Sequence, residues 1–178
     1  LIILLGVVKM GRRLSFRPTW RSRLITDISP KFFIENGIGI VFLDLDNTLV
    51  TVKSRQLTCE ASDWIISLVD NNIRVRIVSN NLNSRVSRLV KAIEGIDFNG
   101  LSMKPMPRQI VRYLDEFELI HDYAVMIGDG ISTDILAANL SGVKSILIDP
   151  IEDKNIIGAY NRLRRSFIDI IFSSIKII

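Results

Sequence analysis

Four short runs of mainly apolar, β-branched residues limit how this chain can fold. They lie at Ile38–Leu45, Ile73–Ser79, Tyr123–Ile127 and Lys144–Ile148, and a weaker run lies near Ile96–Phe98. The apolar residues in the four main runs are largely continuous, which is typical of strands buried on both faces. Such strands occur in parallel sheets, so we predict a parallel sheet that is covered by helices on both sides.

Helical patterns fill the intervals between these runs. The spacing of apolar residues and the positions of Pro107, Thr133 and Gly142 predict helices over 59–69, 84–93, 107–114 and 133–142. Strands and helices therefore alternate along the chain. This order indicates an α/β fold with a doubly wound parallel sheet and right-handed crossovers.

The two ends of the chain differ from its middle in charge and hydropathy. We expect residues 1–23 to form a basic and apolar amino-terminal arm, and residues 24–178 to form one domain that ends in an amphipathic helix. The helix should pack on the sheet, and contact of either end with an anionic membrane surface or a partner stays open. Leu1–Val8 is too short to span a bilayer, so no transmembrane helix is predicted, and Met10 is a candidate translation start. The basic residues near the amino terminus are Lys9, Arg12, Arg13, Arg17, Arg21, Arg23 and Lys31. The apolar residues of the last helix are Tyr160, Leu163, Phe167, Ile170, Ile171, Phe172, Ile175 and Ile178.

Two residue types exclude whole classes of chemistry. Cys59 is the single cysteine, which rules out an intramolecular disulfide and a cysteine-based zinc site and favours a cytoplasmic location. His121 is the single histidine, which removes most catalytic triads and histidine metal sites.

Polar residues follow the predicted strands, at the edge where parallel sheets bind their ligands. Asp44 and Asp46 stand two apart, so on extended chain both side chains point the same way about 6.6 Å apart. Four carboxylates in one crevice repel each other unless a hard divalent cation such as magnesium lies among them. A hydroxyl, an amide and an ammonium at the neighbouring positions could hold the oxygens of a phosphate dianion. Taken singly, each of these residues has an ordinary explanation as a cap or a solvated charge. The residues are Asp44, Asp46, Ser79, Asn80, Lys104, Asp129 and Asp134.

Four motifs in order carry a family resemblance: DLDNTL at 44–49, SNN at 79–81, KP at 104–105 and GDGISTD at 128–134. They resemble motifs one to four of the haloacid dehalogenase (HAD) superfamily. Within it the chain is similar to the subfamily IIIA phosphatases of the YqeG type, which are related to mitochondrial phosphatidylglycerophosphate phosphatase. The YqeG pattern usually reads GDQ where this chain has Gly130 after Asp129, which puts substrate positioning in doubt rather than the chemistry.

The resemblance implies a HAD-like fold and a phosphomonoester hydrolase that acts through an aspartyl-phosphate. It implies Asp44 as nucleophile and Asp46 as general acid and then base, with Thr48 orienting Asp46. Ser79, Asn80 and Lys104 would bind the phosphoryl group, and Lys104 would also screen Asp44.

The same resemblance implies a magnesium site. Its ligands would be the carboxylates of Asp44 and Asp129, the main-chain carbonyl of Asp46, and Asp134 as a ligand or an anchor. No cap domain fits between Asp46 and Lys104, so we expect an open site that admits a phosphate on something large, such as a phospholipid headgroup. Phosphatidylglycerophosphate is the favoured substrate, and nucleic acid is not expected as a partner.

Other functions stay open at this point. A catalytically idle binding protein, for example a ribosome-assembly factor, would use the basic arm instead of the strand-end residues. A phosphatase for soluble phosphoesters, or a phosphotransferase or mutase, would share the same motifs and differ in its substrate or acceptor.

Overall fold

A computed structural model describes residues 14–91, 93, 95–151 and 166–178. Its centre is a six-stranded sheet in which every pair of neighbouring strands is parallel, in the order β1-β6-β5-β2-β3-β4. The strands are β1 (Trp20–Ser22), β2 (Ile40–Leu43), β3 (Arg74–Val78), β4 (Ile96–Asn99), β5 (Ala124–Gly128) and β6 (Lys144–Ile148). The predicted doubly wound α/β fold is confirmed.

Five α-helices lie among the described residues up to β6, namely α1 (Pro30–Glu35), α2 (Cys59–Asp70), α3 (Asn83–Val90), α4 (Arg108–Glu116) and α5 (Leu136–Ser141), and residues 166–171 form a further helical segment. Short 3-10 turns at Ile25–Asp27 and His121–Tyr123 and a π-helical turn at Ile131–Ile135 complete these elements. Thr58 caps α2 by accepting a hydrogen bond from Ala61 N–H. Gly142 ends α5 in the left-handed conformation that glycine adopts most readily (φ 75°), as the sequence predicted.

Both faces of the sheet are covered, which explains the continuous apolar runs. In β2, Val41 and Leu43 point into the cluster formed with α2 and α3, whereas Ile40 and Phe42 point into the cluster formed with α4 and α5. All four side chains are fully buried. A strand buried on both faces cannot carry alternating polar residues, so β2 reads as one unbroken apolar segment.

The sequence analysis did not predict β1 or α1. It placed Trp20–Ser22 in the amino-terminal arm, but these residues pair with β6 at the edge of the sheet. Arg21 is buried there and forms an ion pair with Asp169, so it is not a solvated arm charge. A strand of three residues with an arginine at its centre has too short an apolar pattern to be recognised.

The carboxyl-terminal residues pack on the sheet beside β6, as expected. Residues 166–171 are helical, and Ile168, Phe172 and Ile175 are buried against Ile135 and Leu147. Other apolar residues of this segment stay exposed, namely Phe167, Ile170, Ile171 and Ile177. Tyr160 and Leu163, which were also assigned to this helix, lie outside the described residues. No helix in the described part of the chain has the length and hydropathy to cross a membrane.

Candidate active site

The candidate site lies where the winding of the sheet reverses direction. β2 is flanked by β3 on one side and β5 on the other, and the chain leaves β2 toward β3 and β4 before it crosses back to β5 and β6. Asp44 follows β2 and Asp129 follows β5, so the two lie at the carboxyl ends of adjacent strands. A crevice at this reversal point is where open α/β sheets bind ligands.

A tight turn directly after β2 determines the conformation of the first motif. Asp44 N–H still bonds Ile127 O of β5 (2.9 Å), and the turn then closes through Asn47 N–H to Val50 O (2.6 Å). Asn47 has φ 62°, a left-handed conformation that asparagine adopts more easily than most residues. The buried side chains of Leu45 and Leu49 fix the turn to the core.

Thr48 contacts a different aspartate from the one the resemblance implied. Its hydroxyl donates to Asp44 Oδ2 at 3.3 Å, and both groups are buried. The hydroxyl lies one helical-type turn after Asp44, so it reaches back to that carboxylate instead of to Asp46. In this structure Thr48 orients the expected nucleophile.

Two residues to which the sequence analysis gave no role hold Asp46. Arg85 Nη2 donates to Asp46 Oδ1 at 2.7 Å, and Asn81 Nδ2 donates to Asp46 Oδ2 at 3.0 Å. Arg85 belongs to the first turn of α3, where the positive end of the helix dipole disfavours a cation. A basic residue in the first turn of a helix, close after the second motif, is a sequence signal that could have suggested an anionic partner for Arg85, although it does not identify Asp46 as that partner.

Lys104 reaches the site from the loop between β4 and α4. Asn80 holds its main chain from both sides, since Lys104 N–H donates to Asn80 Oδ1 (2.7 Å) and Asn80 Nδ2 donates to Lys104 O (3.0 Å). The Lys104 ammonium lies 2.5 Å from Asp44 Oδ1 and 2.6 Å from Asp134 Oδ1. The Asn80 side chain, which was expected to bind phosphate, is therefore engaged in positioning Lys104.

Ser79 is buried at the end of β3 and faces the same crevice. Its main-chain N–H bonds Asn99 O (3.0 Å), which continues the ladder to β4. Its hydroxyl oxygen accepts from Asn81 N–H at 3.1 Å, which leaves the hydroxyl proton able to donate into the crevice.

The glycines of the fourth motif make room for Asp134. A Cβ on Gly128 would lie 2.3 Å from Asp134 Oδ2, so this carboxylate needs the bare backbone of glycine beside it. Gly130 N–H donates to the same oxygen at 2.9 Å. A Cβ on Gly130 would lie 1.9 Å from Thr133 Oγ1 and 2.9 Å from Asp134 Oδ2, so a glutamine there requires a different Thr133 rotamer and a small shift of the Asp134 carboxylate. Glycine at position 130 thus leaves room for the Thr133 and Asp134 side chains in the positions that they occupy here.

The site carries more negative than positive charge. Burial, and next the charge of Asp134, raise the pKa of Asp44 to about 7, although Lys104 opposes this rise. Burial alone would lower the pKa of Lys104, but the carboxylates of Asp44 and Asp134 outweigh it and raise the pKa above its usual value. Lys104 therefore stays a cation, while Asp44 carries a charge that its surroundings disfavour.

These residues fit a divalent cation. Asp44, Asp129 and Asp134 each bring a carboxylate oxygen within 4.8 Å of the others. Asp134 Oδ1 is buried and, apart from the charge contact with Lys104, has no hydrogen-bond partner among the described residues. An all-oxygen, acidic set of donors is what magnesium prefers. The carboxylate of Asp46 does not belong to this group. This agrees with the expectation that Asp46 binds the cation through its main-chain carbonyl.

The structure brings all the sequence-predicted site residues to one place. Apart from Thr48, which lies buried behind Asp44, they line a single cleft of about 400 Å³. The residues that line it are Asp44, Asp46, Ser79, Asn80, Asn81, Leu82, Lys104, Asp129, Thr133 and Asp134.

Sequence comparison gives the family. The chain is 32% identical over 161 residues to the probable phosphatase YqeG of Bacillus subtilis (strain 168), an alignment that covers 90% of this chain and 92% of that one. The chain belongs to the YqeG family of HAD-type phosphatases. The model of the HAD-hydrolase-like family also matches, over residues 102–150, which include Lys104 and the fourth motif.

Solved structures agree with the family's fold. An uncharacterized protein from Listeria monocytogenes serotype 4b superposes with a TM-score of 0.54 at 18% identity, covering 67% of this chain and 84% of that one. The cobalt-bound deoxy-D-mannose-octulosonate 8-phosphate phosphatase of Haemophilus influenzae gives 0.51 at 17% identity, with coverages of 64% and 70%. At these identities the likeness concerns the fold alone. As a HAD-type phosphatase, the chain acts on a phosphorylated substrate.

Proposed function

We propose that this YqeG-family protein is a magnesium-dependent phosphomonoester hydrolase that works through a covalent phosphoryl group on Asp44. The observation that carries the proposal is the Asp44 carboxylate itself. It is buried at the end of the central strand, is fixed by Thr48 and Lys104, and stands beside Asp129 and Asp134. Release of inorganic phosphate from p-nitrophenyl phosphate by the purified protein is the expected result. Binding of magnesium without release of phosphate from any monoester would favour an idle binding protein instead.

The proposed reaction has two displacements at phosphorus. An Asp44 oxygen attacks the phosphorus atom, the bond to the leaving oxygen breaks, and Asp46 gives its proton to that oxygen. A water molecule then attacks the phosphorus atom, Asp46 takes the proton from the water, and the bond to Asp44 breaks. The products are an alcohol, inorganic phosphate and the original Asp44 carboxylate.

The remaining residues stabilise charge on the transferring group. The Ser79 hydroxyl and the Lys104 ammonium face the cleft and would donate to the phosphoryl oxygens as their charge develops. Asp44, Asp129, Asp134 and the Asp46 carbonyl would hold magnesium, which when bound neutralises negative charge on the phosphate and on the carboxylates.

The open shape of the site supports a large or membrane-bound substrate. One helix and one strand separate successive motifs between Asp46 and Lys104, so no inserted domain covers the cleft. Beside Lys104 lies an apolar groove of about 460 Å³ that is lined by Leu101, Met103 and Met106, which are 55%, 71% and 61% exposed. Arg108 and Arg112 are the charged residues that line this groove. This surface suits a phosphate that is attached to an anionic lipid.

We therefore favour phosphatidylglycerophosphate as substrate, with a cytoplasmic protein that contacts an anionic membrane through its surface. The groove residues, and the exposed Phe167 and Ile170 of the carboxyl-terminal segment, are the proposed contacts. Each basic residue near an anionic leaflet is worth about 1 kcal/mol, so Arg108 and Arg112 would add to apolar contact.

Phosphatidylglycerophosphate in vesicles should be hydrolysed faster than glycerol phosphate at equal concentration. Replacing both Met103 and Met106 by serine should slow the vesicle reaction by roughly tenfold, because exposed apolar area is lost, and leave p-nitrophenyl phosphate hydrolysis unchanged. Ile120→Ser is the matched control, since Ile120 is 73% exposed but precedes β5, at the amino-terminal ends of the strands and away from the cleft at their carboxyl ends. Equal rates for the vesicle substrate and glycerol phosphate would rule out the lipid and favour a soluble phosphoester.

A further inference from the structure

Asp46 is held from two sides by residues of the second motif and α3. Arg85 donates to one oxygen of its carboxylate at 2.7 Å and Asn81 donates to the other at 3.0 Å. The side chains of Arg85 and Asp46 are only 23% and 20% exposed, which shelters this ion pair from solvent. Each oxygen has its own donor, so the carboxylate can neither rotate freely nor turn away from the cleft.

Arg85 also binds the loop that connects the first motif to α2. Its guanidinium donates to Ser54 O through Nη1 at 3.0 Å and to Thr51 O through Nη2 at 3.3 Å. The planar fork of arginine can serve a carboxylate and two carbonyl groups at once, whereas the single ammonium of lysine cannot do so with the same geometry. Arg85 therefore connects the position of Asp46 with the position of residues 51–54.

Helix stability does not account for this arginine. Arg85 lies in the first turn of α3, where the helix dipole disfavours positive charge. Its Nε is buried without a hydrogen-bond partner among the described residues, which also costs free energy of folding. The hydrogen bonds that offset these costs join Arg85 to the Asp46 carboxylate and to the main chain of Thr51 and Ser54.

We propose that Arg85 is a positioning residue that holds the Asp46 carboxylate at the reaction site by tying it to residues 51–54. This inference rests on the proposed function, in which Asp46 exchanges a proton with the leaving oxygen and then with water. Arg85 exchanges no proton itself and acts on the reaction only through its contact with the Asp46 carboxylate. Misplacement of a catalytic group by about 1 Å can cost on the order of 10²-fold in rate, so loss of Arg85 should be felt through Asp46.

The test is a double-mutant cycle with two substrates. Values of kcat/KM for glycerol phosphate and p-nitrophenyl phosphate would be measured for Asp46→Asn, Arg85→Ala and the double variant. General acid help matters most for a poor leaving group, so Arg85→Ala should lose ~10-fold or more on glycerol phosphate and clearly less on p-nitrophenyl phosphate. In the Asp46→Asn background the same change should alter either rate by less than about twofold, because Arg85 then has nothing to position.

Two further variants serve as a control and as a substitute for Arg85→Ala. Arg88→Ala removes an exposed arginine from the same helix and should behave as the wild-type protein. If Arg85→Ala lacks a cooperative melting transition, Arg85→Lys takes its place in the cycle and is judged by the same criteria.

The outcomes separate this inference from the proposed function. Equal losses on both substrates that persist in the Asp46→Asn background would overturn the positioning role, and so would wild-type rates in the Arg85 variant. If Asp46→Asn itself shows no dependence on the leaving group, the proton-transfer role of Asp46 fails instead.

Discussion

Asp44→Asn is expected to lower turnover by at least ~10³-fold, because the amide cannot supply the anionic oxygen that attacks phosphorus. No neighbouring group can replace it. Asp129 and Asp134 belong to the proposed cation site, and Lys104, which contacts Asp44 at 2.5 Å, stays a cation. Steady-state hydrolysis of p-nitrophenyl phosphate measures the effect, and turnover above about a tenth of the wild-type value would refute Asp44 as nucleophile.

The loss should not come from unfolding. Burial and the charge of Asp134 raise the pKa of Asp44 from 3.8 to about 7, so the folded protein binds a proton more tightly than the unfolded chain does. The stability linked to Asp44 therefore falls as the pH rises from about 4 through about 7. The neutral asparagine avoids this loss, so metal-free Asp44→Asn should melt no lower than the wild-type protein at about pH 8. Asp115→Asn, which changes an exposed aspartate of α4, is the matched control for both measurements.

Removal of the divalent cation is expected to have the second large effect. Excess chelator should abolish turnover and added magnesium should restore it, because the carboxylates of Asp44, Asp129 and Asp134 converge in the cleft and the single charge of Lys104, which pairs with Asp44 and Asp134, does not balance them. Asp129→Asn should weaken magnesium binding without loss of the folded state. Unchanged turnover in excess chelator would show that the acidic cluster does not serve a metal.

The pH dependence of magnesium binding follows from the same charges. A proton and the cation compete for the Asp44 carboxylate, whose pKa is raised to about 7 in the metal-free protein. The affinity should fall ~10-fold per pH unit below about 7 and level off above it. Thermal melting during magnesium titration at about pH 6 and about pH 8 measures this difference. Equal affinities at both values would contradict the raised pKa.

Sequence patterns predicted the parts of the fold that are buried on both sides. The run at Ile38–Leu45 indicated a parallel strand buried on both faces, and the structure has β2 at Ile40–Leu43 between two parallel neighbours. β1 escaped prediction because an edge strand of three residues gains its stability from pairing with β6, a contact between residues far apart in the chain. Tertiary pairing of this kind leaves no periodic signal in a single sequence.

The candidate site was predictable as a set of residues but not as a set of contacts. Strand ends and residue types were enough to gather Asp44, Ser79, Lys104 and Asp129 in one crevice. The partner of Thr48 depends on how the turn after β2 closes, which the positive φ of Asn47 decides. The ion pair of Arg85 with Asp46 joins residues far apart in the chain and depends on the docking of α3, which local patterns do not specify.

Trapping the covalent intermediate tests the central claim most directly. Asp46→Asn should form the phosphorylated enzyme from p-nitrophenyl phosphate, whose leaving group needs little protonation, and should release it slowly because the base for the attacking water is missing. Acid quenching, digestion and mass spectrometry should place one phosphoryl group on the peptide that contains Asp44, and none in the Asp44→Asn, Asp46→Asn double variant. A phosphoryl group on any other residue, or no adduct in a variant whose wild-type parent turns over, would contradict the account.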